Sequence, residues 1–206
     1  MPSRNVLKID VPDSYYHIYA RGASRHEIFL EASDYYVFLE LFRRYLSMEE
    51  IRDSAGMPYA KLYEDIELLC YCLMPNHFHL LVYQVNEGAM QRLMRGVMTG
   101  YSRYFNKKYK RSGSLFESRY KASMIMSDAY LMHITRYIHL NPKQWRNYPY
   151  SSLQYYLDPN MEDWLEETRI LELFPSRAAY GEFMADYEAV KESLALIKYE
   201  LAGGED

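Results

Sequence analysis

Leu68-Leu69-Cys70-Tyr71-Cys72-Leu73-Met74-Pro75-Asn76-His77-Phe78-His79-Leu80-Leu81-Val82 reads as two apolar strands joined at Pro75-Asn76, a turn-forming pair. Side chains alternate between the faces of a strand, so His77 and His79 share one face while Phe78, Leu80 and Val82 take the other. Two imidazoles at i and i+2 can point at a common metal ion. A strand this apolar belongs in the middle of a sheet, where rigid backbone suits a site. Half-buried structural histidines would give the same pattern, so this stretch alone leaves both readings open.

Cys70 and Cys72 point the same way in the first of the two strands. They are the only cysteines, and they lack the paired CxxC spacing of a structural zinc site. Reduced thiols in a cytoplasmic protein are the expectation. The apolar run 66–74 is far too short for a membrane span, and residues 1–8 show no apolar signal segment, so no membrane partner is expected.

Upstream, Tyr15 to Arg21 is β-rich and ends at Gly22. Asp34 to Ser47 carries Tyr35, Phe38, Leu39, Phe42 and Leu46 at helical spacing. Downstream, Met90, Leu93, Met94, Val97, Met98, Tyr101, Tyr104 and Phe105 keep an apolar stripe along a second helix, with the methionines as core filling. Glu117 to Met126 reads as a fourth strand with Arg119 and Lys121 on one face. The order strand, helix, strand, strand, helix, strand is ferredoxin-like: an α+β fold whose antiparallel sheet carries both helices on one face. The face with His77 and His79 is then expected to lie open to a substrate.

Ser127 is a good N-cap, with Asp128 in the first turn of a further helix that should stop at Asn141, before Pro142. His133, Tyr137 and Asn141 stand at i, i+4 and i+8 on it, roughly one face. An aromatic stretch from Trp145 to Tyr156 follows. Short helical patterns then run from Asp163 to Phe174 and from Arg177 to Leu201. The expected division is a main domain, 1–157, and an acidic helical extension, 158–206.

The net charge of −4 hides a sharp polarity. From Asp158 onward there are 13 acids against 4 bases, so the preceding residues carry 20 bases against 15 acids. Gln91 to Lys121 holds nine cations and one anion, Glu117. Local patches, not net charge, decide where a phosphate backbone sits. Arg103, Lys107, Lys108, Lys110, Arg111, Arg119 and Lys121 are the candidate DNA contacts, interleaved with Tyr104, Tyr109 and Tyr120, which could stack bases. No paired carboxylates flank the histidines, and there is no Ser/His/Asp arrangement or phosphate-cradling glycine loop.

His77-Phe78-His79 resembles the histidine–hydrophobe–histidine (HUH) motif of the single-tyrosine HUH transposases. Met74 to Val82 and Arg136-Tyr137-Ile138-His139-Leu140-Asn141-Pro142 are similar to the two signature stretches of the REP-associated tyrosine transposase branch. Tyr16 to Gly22, Gly113 to Tyr120, and the run of Trp145, Ser151, Ser152 and Tyr155 agree with them in order, and the likeness covers residues 15–157. The resemblance implies metal-assisted transesterification on single-stranded DNA beside hairpins. Tyr137 would be the nucleophile, forming a 5′-phosphotyrosine link. His77, His79 and Asn141 would hold a divalent metal, Mg or Mn. The wider group uses Gln at the third ligand position, and a C-cap role competes for Asn141. His133 and His139 would be contacts behind the metal ligands, phosphate binders or ordinary helix-surface histidines. A domesticated, non-catalytic hairpin-DNA-binding protein and a hydrolytic metal-dependent nuclease are the alternatives, and the chain would act as a monomer or a homodimer.

Overall fold

The computed structural model describes residues 10–53, 55–158 and 162–186. The hairpin forms as strands β2 (Ile66–Met74) and β3 (His77–Gln84), with Met74 opposite His77 across the Pro75-Asn76 turn. β1 (Ser14–Arg21) lies antiparallel beside β3, and β4 (Lys121–Ile125) antiparallel beside β1. With α1 (Ala32–Leu46) after β1 and α2 (Ala89–Lys108) after β3, the sheet order is β2-β3-β1-β4. This is the ferredoxin-like α+β arrangement, with β3 in the interior of the sheet. The helix α3 (Asp128–His139) and the short helices α4 (Leu153–Leu157), α5 (Thr168–Leu171) and α6 (Arg177–Ala185) complete it.

On the first face, Ile18, Leu68, Phe78, Leu80 and Val82 pack against Phe38 and Phe42 of α1 and Leu93, Val97 and Tyr101 of α2. The two helices approach closely because Gly96 has no side chain: a Cβ there would stand 2.5 Å from the Tyr45 hydroxyl. Truncating Phe78 here would cost about 3–5 kcal/mol.

The second face departs from expectation: it is largely covered. Leu69, Cys70, Cys72, Leu81 and Ile125 are buried under Leu131, Ile134, Tyr137 and Ile138 of α3, and under Leu153, Tyr156, Ile170, Tyr180 and Met184 further on. An irregularity between Leu68 and Cys70 puts Leu69 and Cys70 on this face together, after which the alternation resumes. The uninterrupted apolar run 68–74 of β2 was the available signal, because a strand apolar on both faces needs cover on both.

β4 begins at Lys121, not Glu117. The chain touches β1 at Phe116, opposite Gly22, and Glu117 N donates to Arg21 O at 2.9 Å before 117–119 swing out into solvent. Arg119 therefore lies outside the strand that holds Lys121. At the opposite edge β2 is capped from within the chain: Leu73 N donates to Tyr150 O at 2.9 Å and Ser152 N to Tyr71 O at 3.0 Å. The predicted helical pattern to Leu201 falls partly outside the described residues; α6 ends at Ala185. Among the described residues no helix is long and apolar enough to cross a membrane.

Candidate active site

The hairpin tip is held by the segment after β1. Gly22 N donates to Asn76 O at 2.9 Å, and Ile28 N and Phe29 N both donate to Pro75 O, at 2.7 and 3.0 Å. A side chain at Gly22 would meet His26 O at 2.1 Å, so only glycine permits this approach. His77, the first residue of β3, is thereby anchored at its turn.

α3 approaches this point by its C-terminal end. It starts at Ser127, whose Oγ accepts from Tyr130 N at 3.3 Å. It ends at His139, Leu140 N still donating to Arg136 O at 2.9 Å, since Pro142 disfavours helical geometry in Asn141. The last turn brings Tyr137 and Asn141 to the histidines. The Tyr137 ring stands edge-on to His79, 5.2 Å between centroids and 81° between planes. His133 lies instead against Phe183 of α6.

The contacts of His77 set the chemistry. Its Nδ1 is 2.6 Å from Asn76 Oδ1 and its Nε2 is 3.3 Å from Asn141 Oδ1. Asn76 is fixed in that orientation by its other end, where Nδ2 donates to Arg25 O at 3.3 Å. Asn141 also bears on Tyr137, favouring its phenolate. A neutral imidazole has one N–H, so it can donate to only one of two oxygens. The shorter contact takes the proton on Nδ1, and the Nε2 lone pair then faces the lone pairs of Asn141 Oδ1. Burial, and then the charge of Arg21, hold His77 down to about 4 against the Asn141 bond, so a proton does not fill this gap at neutral pH. Two converging lone pairs with no proton between them suit a cation.

His79, 5 % exposed, meets a residue that the sequence did not single out. Its Nδ1 is 3.0 Å from Nε2 of His17, on the neighbouring strand and fully buried. Tyr19 lies opposite His79 and Arg21 opposite His77 in the β1–β3 register. The alternation His17, Tyr19, Arg21 was the only sequence signal for these neighbours, and strand pairing decides its meaning. Among the described residues no three His, Cys, Asp or Glu side chains gather as a metal site. A cation here would take two imidazole nitrogens and an amide oxygen, a neutral donor set that fits a divalent ion.

Burial pushes the Tyr137 phenol up to about 12; Asn141 and Arg21 pull it down, while Tyr19 and Cys72 push it up. The oxygen is poorly ionised without further positive charge. His139 is not a surface histidine. It is fully buried, with Nδ1 2.6 Å from the Tyr180 hydroxyl and Nε2 2.8 Å from Ser152 Oγ.

The candidate DNA contacts fall into separate groups. Arg103 and Arg119, with Arg95, line a cavity of about 810 Å³ between α2 and the segment before β4. Lys121 lies 5.9 Å over the Tyr19 ring, on the histidine side of the sheet. Lys107 and Lys110 are exposed, and Arg111 stacks 5.6 Å over Phe105. Lys108 is tied into the fold: Nζ is 2.7 Å from the buried Asp34 carboxylate and 2.5 Å from Glu31. Asp34 also accepts from Leu30 N, Tyr104 and Tyr109, all within the α1–α2 layer.

Comparison with known proteins bears on this geometry. The family model described as "Transposase IS200 like" matches residues 10–141. Among solved structures, a REP-associated tyrosine transposase bound to a REP hairpin is similar in fold. Its TM-score is 0.54 at 12% identity, over 76% of this chain and 87% of that one. A Deinococcus radiodurans protein described as a transposase is similar at a TM-score of 0.38 and 15% identity, over 67% of this chain and 95% of that one, too low a score to argue from. No curated protein matches the sequence.

Proposed function

Since this chain belongs to the IS200-like transposase family, we propose that it cuts and rejoins single-stranded DNA beside hairpins by transesterification. Tyr137 is the nucleophile, and His77, His79 and Asn141 hold one divalent cation, Mg or Mn. The observation that carries this reading is the place of Asn141. Its amide oxygen lies 3.3 Å from Nε2 of His77, and the same side chain favours the phenolate of Tyr137, so one residue serves both the cation site and the nucleophile.

When bound, the cation supplies positive charge that polarises the phosphoryl oxygen and lowers the Tyr137 phenol from the value burial imposes. The residues do the rest. Tyr137 Oη bonds to phosphorus as the bond from phosphorus to the 3′ oxygen breaks, giving a 5′-phosphotyrosine and a free 3′-OH. Attack by a 3′-OH reverses the step, so one site serves both cutting and rejoining. The burial of Tyr137 keeps competing water from the link. Arg103 and Arg119 in one cavity, and Lys121 beside Tyr19, are suited to the DNA backbone, whereas Lys108 is taken up by Asp34. The hairpin partner is supported by the REP hairpin bound to the similar transposase. On this reading residues 1–157 carry the chemistry, and within the 158–206 extension Tyr180 and Phe183 brace the nucleophile helix at His139 and Arg136.

The test is incubation with labelled single-stranded hairpin DNA from around its own gene, with Mg²⁺ or Mn²⁺, on denaturing gels. Wild type is compared with Tyr137→Phe and His77→Ala. A protein–DNA adduct that vanishes in both variants and without metal is the expected result. Cleavage that survives in Tyr137→Phe would make the protein a hydrolytic nuclease. Tight binding without cleavage would make it a non-catalytic hairpin-binding protein.

A further inference from the structure

We infer that His17 is a positioning residue for His79: its Nε2 accepts the Nδ1–H of His79 and so fixes Nε2 of His79 as the nitrogen offered to the cation. The inference rests on the metal site proposed above and extends it to β1, the strand that contributes neither ligand nor nucleophile.

The geometry argues for it first. The two rings approach to 3.0 Å at their nitrogens, while their centroids are 5.1 Å apart and their planes differ by 12°. Rings so related meet edge to edge in nearly one plane, and an N–H of one lies along the lone pair of the other. The proton can sit on either ring. Were His17 the donor, the neutral His79 would carry its own proton on Nε2 and have no lone pair left for a metal, since Nδ1 is spent on His17. A ligand role for His79 therefore requires the proton on its Nδ1 and makes His17 the acceptor.

The second argument is the state of His17 itself. It is fully buried and its Nδ1 has no hydrogen-bond partner. A buried orphan nitrogen calls for an explanation, because an apolar side chain would fill the same space without the penalty. A hydrogen bond to His79 supplies that reason. The rings of His17 and His79 also form the wall that Tyr137 meets edge-on, with His17 at 6.0 Å and 88°. A shift in the His79 ring would thus be felt at the nucleophile. Metal-bound imidazoles commonly give their second N–H to such an acceptor, and loss of that acceptor weakens metal affinity on the order of 10–100-fold.

The experiment is Mn²⁺ titration of the full-length protein by calorimetry, comparing wild type, His17→Leu and His17→Gln, with circular dichroism and Tm for each. His17→Leu should keep its fold and Tm and bind Mn²⁺ about 10–100-fold more weakly. His17→Gln, whose amide oxygen can accept, should recover most of that affinity. Equal affinity in wild type and folded His17→Leu overturns this inference alone. A wild type that binds no Mn²⁺ removes the metal site beneath it and the inference with it. Should His17→Leu fail to fold, nitrogen-15 histidine spectra of the wild type decide: a proton on Nδ1 of His79 supports the assignment, and one on Nε2 of His17 overturns it.

Discussion

His77 is half-buried and His139 fully buried, with desolvation holding them at about 4 and about 3, and they meet opposite surroundings. His139 can satisfy every partner while neutral. Tyr180 donates to Nδ1, and Nε2–H donates to Ser152 Oγ, which also accepts from Tyr71 N at 2.8 Å. His77 cannot: both of its nitrogens face amide oxygens, at 2.6 and 3.3 Å. A closed network stabilises a fold, whereas one left a cation short is equipped to bind something. Desolvation and a depressed basicity are common to both and distinguish nothing.

The sharpest way to break this contrast is at the nucleophile and the open network. On the proposed reading Tyr137→Phe loses the covalent adduct altogether on denaturing gels, since no other group carries that oxygen. Removing one hydroxyl and no ring atom costs at most about 1 kcal/mol of stability. His77→Ala should likewise lose metal-dependent cleavage, while its urea midpoint stays close to wild type because an unsatisfied contact has gone.

His139→Ala should do the reverse. It opens a cavity and strands the Tyr180 hydroxyl, a loss of about 2–4 kcal/mol in chemical denaturation, with folded protein still forming adduct. If His139→Ala is as stable as wild type, the closed network has been misjudged.

Acid should also test the closed network. The folded value of His139 lies at about 3, below the ordinary 6.5, so the unfolded chain binds the proton first. Its contribution to stability is complete above about pH 6.5 and is lost as pH falls from there toward 3, at up to ~1.4 kcal/mol per pH unit. Urea midpoints measured from pH 7 to 4 should therefore fall, and His139→Gln should flatten the slope.

The smallest effects test the same contrast among cations. Lys108→Met should lower Tm, because it strips the buried Asp34 of its cation, and leave hairpin-DNA affinity unchanged. Arg119→Ala and Arg103→Ala should leave Tm unchanged and each reduce the slope of log affinity against log salt by about 1. DNA affinity that falls with Lys108→Met would move that residue to the binding surface.

The element order and the His77–His79 hairpin were legible because alternation and helical spacing are properties of adjacent residues. So were the start of α3 at Ser127 and its end before Pro142. His17 was not legible as a neighbour of His79, since nothing local says that β1 lies beside β3. Nor was the fate of Lys108, whose partner Asp34 is far away in sequence and on another helix. The basic run from Gln91 to Lys121 looks continuous in one dimension, but α2 and the excursion before β4 send its cations to different sides.

By itself the sequence determined the order of the main elements, the pairing of two histidines on one strand face, and the one-turn spacing of Tyr137 and Asn141. Each is fixed by the period of a strand or helix. Only the tertiary structure decided that the second face is covered, that Asn141 reaches His77, and that His17 touches His79 while His139 is sealed in the core. Those outcomes depend on strand order, on where the chain returns after long excursions, and on how amide and imidazole donors are shared once water is excluded.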